Sequence, residues 1–273
     1  VKKLIFVLLD GLRLDTAQAH MGFMSHLVER GLAFGGAVRS ELPSLSRPLY
    51  ETLLTGLPPI EHGIIGNAVS RPSSSESLFD RVRASGGKTA AAAYGWMCEL
   101  YAASPFDPFK HRDWDDESSK LQHGRFYWED DYPDTHLLAD AESLRSRHDP
   151  DFLLIHSMNI DDAGHKHGGE SPEYQASAAK ADMALALCLP LWRQAGYQMI
   201  VTADHGMNAI KFHGGTTDAE RFVPLYLWAD GVRGGASGLS IPQTQLAGLC
   251  CELMEIAPGK AMPPLNERGV FLR

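Results

Sequence analysis

Three aspartates, Asp10, Asp161 and Asp204, each come soon after an apolar run, and histidines gather around two of them. The segments are Asn159-Ile160-Asp161-Asp162-Ala163-Gly164-His165-Lys166-His167, Asp204-His205-Gly206-Met207 and Phe212-His213-Gly214-Gly215. Carboxylate plus imidazole, without thiolate, is a donor set suited to Zn, with Mn or Fe also accommodated. There are enough such donors for two ions, and a two-metal site clamps the entering and leaving oxygens of an in-line displacement. A nucleophile for that chemistry stands in Leu42-Pro43-Ser44-Leu45-Ser46-Arg47-Pro48, where two hydroxyls precede an apolar, Thr-punctuated run that reads as the start of a buried helix. A serine at a helix N-terminus gains from the positive end of the dipole, and free N–H groups there can hold an anion. Ordinary N-capping by a serine would give the same pattern.

These residues need a frame that brings them together. Leu4 to Leu9 is a continuous apolar run of β-formers, the pattern of a strand buried on both faces. Further strands are expected at Ala33 to Val38, Lys88 to Tyr94, Phe152 to Ser157, Met199 to Thr202 and Phe222 to Trp228. Helices are expected at about Gly22 to Arg30, Ser77 to Ala84, Leu137 to Arg147, Pro172 to Trp192 and Gln243 to Met254. Strands alternating with helices imply a layered α/β fold: three layers, α/β/α, around a mainly parallel central sheet. In such sheets ligands bind beyond the carboxyl ends of the strands, which is where the three aspartates fall.

Residues 1–273 read as one catalytic domain, with a change of character at about residues 95–135. There Trp96, Tyr101, Trp114, Tyr127, Trp128 and Tyr132 mix with an acidic excess. This stretch is too irregular for a core element and too aromatic for a disordered linker. It is expected to be a cap or specificity insertion over the site, or else an excursion packed on the main body.

A formal charge of −9 with no basic run excludes a general binder of nucleic-acid polymers, though not a small anionic substrate drawn by local metals. Cys98, Cys188, Cys250 and Cys251 show no disulfide or CxxC spacing and are expected to be reduced. The apolar run before Asp10 is too short to span a bilayer and lacks a signal peptide's cleavage pattern. The expectation is therefore a cytoplasmic protein without a membrane segment; no oligomeric state is implied.

Taken in order, these motifs resemble the type I phosphodiesterase/nucleotide pyrophosphatase branch of the alkaline phosphatase superfamily. The branch reads as an Asp after the first strand, P-T-x-T-x-P with T-L-x-T-G, HGIxGN, D-x-x-G-H, D-H-G-M and a late HGG. Here the counterparts are Asp10, Pro43 through Pro48, Thr52 through Gly56, His62 through Asn67, Asp161 through His165, Asp204 through Met207, and His213-Gly214-Gly215. The resemblance implies one metal held by Asp10, Asp204 and His205 with the Ser46 oxygen joining it, and another held by Asp161, His165 and His213. It implies that Ser46 attacks phosphorus to give a phosphoseryl intermediate, that water releases it, and that Asn67 donates to a non-bridging oxygen.

The implied activity is hydrolysis of a small phosphodiester or nucleotide. Alternatives within the superfamily are a phosphomonoesterase, a phosphonoacetate-hydrolase-like enzyme and a phosphomutase; outside it stands a catalytically silent binding protein. Ser46 replaces the Thr usual in this branch, and Ser44 is the rival hydroxyl. Tyr50 stands where a sulfatase signature needs Arg. The D-x-x-G-H spacing selects Asp161 over Asp162. His62 is expected to cap or pack a turn, His167 has no role, and His20, His26, His123 and His148 are expected at the surface.

Overall fold

The computed structural model describes residues 1–265 and 269–271. Nine strands form one sheet: β1 (Leu4–Leu9), β2 (Phe34–Arg39), β3 (Thr89–Tyr94), β4 (Asp113–Asp115), β5 (His123–Tyr127), β6 (Phe152–Ser157), β7 (Gln198–Thr202), β8 (Phe222–Trp228) and β9 (Gly235–Pro242). Their order is β4-β5-β3-β6-β1-β7-β8-β2-β9. The contiguous set β5, β3, β6, β1 and β7 is parallel throughout. At one side β8 runs antiparallel to both β7 and β2, so β2 again points the same way as β7.

Every residue of β1, β6 and β7 is buried, as expected of parallel strands covered on both faces. Two groups of helices provide the cover. The helices Leu14–His20, Gly22–Glu29, Asp134–His148 and Pro172–Gln194 pack among themselves and on the sheet, as do Ser46–Thr55, Leu78–Ala84 and Leu246–Met254. Pro172 opens its helix behind the N-cap Ser171, whose hydroxyl accepts from Tyr174 N.

Register explains the site. Strands β6, β1 and β7 are neighbours, paired Leu8↔His156 and Leu8↔Thr202. Their carboxyl ends deliver Asp10, the helix Asn159–His167 and Asp204 to one place on the sheet's edge. Strand β2 ends at that edge too and feeds the loop that carries Ser44 and Ser46.

The aromatic stretch at about residues 95–135 extends the sheet: β5 lies parallel to β3, and β4 closes the edge antiparallel to β5. Within it the helix Gly95–Tyr101 contacts the helix Ser46–Thr55. His123 was expected at the surface, but it is buried, because β5 brings it under the ring of His148, stacked at 3.7 Å, with Asp115 at 2.8 Å. All four cysteines are free, three of them buried. Among the described residues no helix is long and apolar enough to cross a membrane.

Candidate metal and nucleophile site

Ser46 is the first residue of the helix Ser46–Thr55, and Leu45 occupies the N-cap position without a side-chain bond. The serine is therefore not a cap. Its Oγ lies 3.0 Å from His205 Nε2. Ser44 is committed elsewhere: its hydroxyl donates to Gly215 O at 2.9 Å and accepts from Gly214 N at 3.1 Å. Of the two hydroxyls, only Ser46 faces the imidazole cluster.

The three histidines share one arrangement. His165 Nδ1 donates to Lys211 O at 3.1 Å, His205 Nδ1 to Gly206 O at 2.9 Å, and His213 Nδ1 to Ser44 O at 2.8 Å. A carbonyl oxygen can only accept, so each bond fixes the tautomer and leaves Nε2 as the free lone pair, the usual outer-sphere arrangement of metal-binding imidazoles. His165 Nε2 and His213 Nε2 face each other at 3.1 Å.

The carboxylates are similarly divided. Asp10 Oδ2 accepts from Tyr50 OH and, at 3.0 Å, from His156 Nε2, while its Oδ1 has no hydrogen-bond partner. Asp204 Oδ1 accepts from Gly11 N at 3.2 Å, and its Oδ2 has none. Asp161 Oδ1 is likewise bare, with Oδ2 3.3 Å from His165 Nε2. Asp161 comes this close because residue 11 is glycine: a Cβ there would sit 2.9 Å from Asp161 Cα, and φ is +75°.

Two triads converge, Asp10–Asp204–His205 and Asp161–His205–His213, each with its ligand atoms within 4.8 Å of one another. His205 thus belongs to both, and His165 borders the second through its 3.3 Å and 3.1 Å approaches to Asp161 and His213. Burial would raise Asp10, but the His156 bond and the His205 and His156 charges outweigh it and hold the carboxyl at about 2. Burial, then the charges of Asp10 and Asp161, push Asp204 well up. Burial and His205 hold His213 down at about 4. Crowded carboxylates, three orphaned oxygens and opposed lone pairs are a fit for cations, and the nitrogen and oxygen donors match Zn, Mn or Fe.

Asn67 enters through the helix that begins at Ser46. Its Oδ1 accepts from Arg47 N at 3.0 Å, which leaves Nδ2 as a donor. His62 is buried with Nδ1 accepting from Ile64 N at 3.1 Å, so it packs a turn. Sequence reasoning missed Tyr50 and His156. The signal for Tyr50 was its i+4 spacing from Ser46 on one helix; that for His156 was a polar residue in a fully buried strand.

The sequence matches the type I phosphodiesterase / nucleotide pyrophosphatase family over residues 4–259, and the chain belongs to that family. It is 26% identical over 235 residues to GPI ethanolamine phosphate transferase 2 of Eremothecium gossypii, covering 80% of this chain and 27% of that one. It is 23% identical over 238 residues to the human GPI ethanolamine phosphate transferase 2 catalytic subunit, covering 82% and 23%. The chain thus spans about a quarter of the length of these curated relatives. Murine ectonucleotide pyrophosphatase / phosphodiesterase 5 shares the fold with a TM-score of 0.75 at 14% identity, over 97% of this chain and 98% of that one. An inactive variant of that murine protein, in complex with AMP, aligns with a TM-score of 0.73 at 15% identity, over 98% of both chains.

Proposed function

We propose that this chain cleaves small phosphodiesters or nucleotides by double displacement, with Ser46 as nucleophile and two divalent metal ions, zinc fitting best, as cofactors. Asp10, Asp204 and His205 would hold one ion beside Ser46; Asp161, His165 and His213 would hold the other. Such ions, when bound, neutralise charge on phosphoryl oxygens and lower the pKa of a hydroxyl or water. The observation that carries the reading is the 3.0 Å approach of Ser46 Oγ to His205 Nε2 beside three unpaired buried carboxylate oxygens.

The chain's own residues supply the rest. The positive end of the helix Ser46–Thr55 favours the serine alkoxide. With Nδ1–H bound to Gly206 O, His205 keeps its Nε2 lone pair for the ion beside Ser46, and the serine proton passes to water. Oγ bonds to phosphorus as the bond to one ester oxygen breaks, and that alcohol leaves after taking up a proton. Water then attacks the phosphoserine, returns the proton to Ser46 and releases the phosphomonoester. Asn67 Nδ2 donates to a non-bridging oxygen during both displacements, the oxyanion-hole principle.

A second reading keeps the first displacement and changes the second acceptor from water to an alcohol. The named transferases among the relatives favour it. Metal-loaded protein assayed on bis-p-nitrophenyl phosphate and p-nitrophenyl phosphate, with and without ethanolamine or glycerol, tests both. Diester preference is expected; a phosphorylated acceptor would select transfer over hydrolysis. Monoester preference, or silence on both with two metals bound, would overturn the phosphodiesterase reading.

A further inference from the structure

Arg47, next to the nucleophile, is almost fully buried. It holds the Asn67 loop at two points: its N–H donates to Asn67 Oδ1 at 3.0 Å, and its guanidinium donates to Val69 O at 3.3 Å. The guanidinium is itself held by the helix Gly95–Tyr101. Glu99 pairs with it at 2.7 Å, and the Trp96 ring lies 4.6 Å beneath it. Glu99 is braced in turn by Phe106 N, which donates to Oε1 at 3.1 Å.

A buried ion pair adds little net stability, because desolvation offsets its attraction. What this pair does is geometric. The Arg47 backbone N–H orients the Asn67 amide through Oδ1 and leaves Nδ2 as the donor, while the guanidinium, fixed by Glu99, holds the same loop at Val69 O. We propose that the Arg47–Glu99 pair, backed by Trp96, is a positioning device that sets Asn67 against the reacting phosphoryl group and couples the aromatic segment after β3 to turnover. The proposal rests on the phosphoryl-transfer reading above.

The test is a double-mutant cycle in metal-loaded protein on bis-p-nitrophenyl phosphate, with Arg47→Met, Asn67→Ala and the double variant. Arg47→Met is expected to lower kcat by about 10- to 100-fold with KM within about twofold, and the double variant to be no slower than Asn67→Ala alone. Arg47→Lys, which keeps the charge on Glu99, is expected to recover part of that kcat loss. Hydrogen exchange is the readout independent of activity. Amides of residues 66–69 are expected to exchange at least about tenfold faster in Arg47→Met, and those of residues 204–207 to be unchanged. If Arg47→Met does not fold, Glu99→Gln reads the same coupling. Multiplicative losses, unchanged exchange at residues 66–69, or an Asn67→Ala variant as fast as wild type would overturn the proposal. An inactive wild type with the exchange change still present would instead sink the phosphodiesterase reading.

Discussion

Tyr50→Phe isolates one atom of the proposed metal site. In the native chain Asp10 Oδ2 is occupied by two donors, Tyr50 OH and His156 Nε2, so the carboxylate presents Oδ1 alone toward Asp204 and His205. The Tyr50 ring is buried and meets His156 edge-on at a centroid distance of 4.6 Å, a contact phenylalanine keeps. The substitution therefore removes a hydrogen bond and little else. A bond to a buried carboxylate is worth about 1.5–3 kcal/mol. At about 1.4 kcal/mol per tenfold, that predicts a loss of about 10- to 100-fold in metal affinity at the Asp10 site, the range seen when outer-sphere partners of metal ligands are removed. Calorimetric titration of the apoprotein with Zn²⁺ is the assay. One binding step is expected to weaken and the other, built on Asp161 and His213, to stay within about threefold. Two steps indistinguishable from wild type would refute the assignment of Tyr50 as the group that holds Asp10 in its ligating pose.

Two further perturbations probe the frame around the site. Gly206→Ala would place a Cβ 2.0 Å from Ala219 O, next to His205, and is expected to cost about 2–3 kcal/mol in chemical denaturation; a variant within 0.5 kcal/mol of wild type, about the spread of ordinary surface changes, would contradict the packing. Asp134 is raised to about 6 from 3.8 by burial, against the opposing bond from Ser157. A raised acid favours the folded state below its unfolded pKa, and that stability is lost as pH rises from about 4 through 6. About two units correspond to about 3 kcal/mol, reduced to about 1–2 kcal/mol because the side chain is partly exposed. Asp134→Asn should therefore be more stable than wild type at pH 8 by that amount and lose the advantage near pH 4. An equal gain at both pH values would show that Asp134 does not titrate as described.

Much of this was legible in the residues. Largely apolar runs marked β1, β6 and β7, because parallel strands covered on both faces admit no regular alternation. Asp10 and Asp204, close behind such runs, could then be placed at the sheet's edge. Other elements gave weaker signals. The strand β9, Gly235–Pro242, is half exposed and rich in Gly and Ser, so neither its pattern nor its composition announces a strand. The helix Asn159–His167 hides behind Asp-Asp and Gly, yet its first turn and its i+4 spacing put Asp161 and His165 on one face. The strand β5 was masked by the irregular, aromatic composition around it; its pairing with β3 and β4 makes it a sheet element. At the site, the serine ambiguity dissolves only in three dimensions, where Ser44 is consumed by Gly214 and Gly215. Tyr50 and His156 gave only faint signals for the same reason: they contact Asp10 across elements distant in sequence.

The most direct measurement compares Ser46→Ala and Ser44→Ala for turnover of bis-p-nitrophenyl phosphate, with metal content determined on the same samples. Ser46→Ala is expected to lose at least about 10³-fold in kcat while binding as much metal as wild type, because in the proposed site carboxylates and imidazoles would hold the ions. Ser44→Ala, which keeps the nucleophile, should retain measurable turnover. Most of the activity surviving in Ser46→Ala while Ser44→Ala is dead would contradict the account.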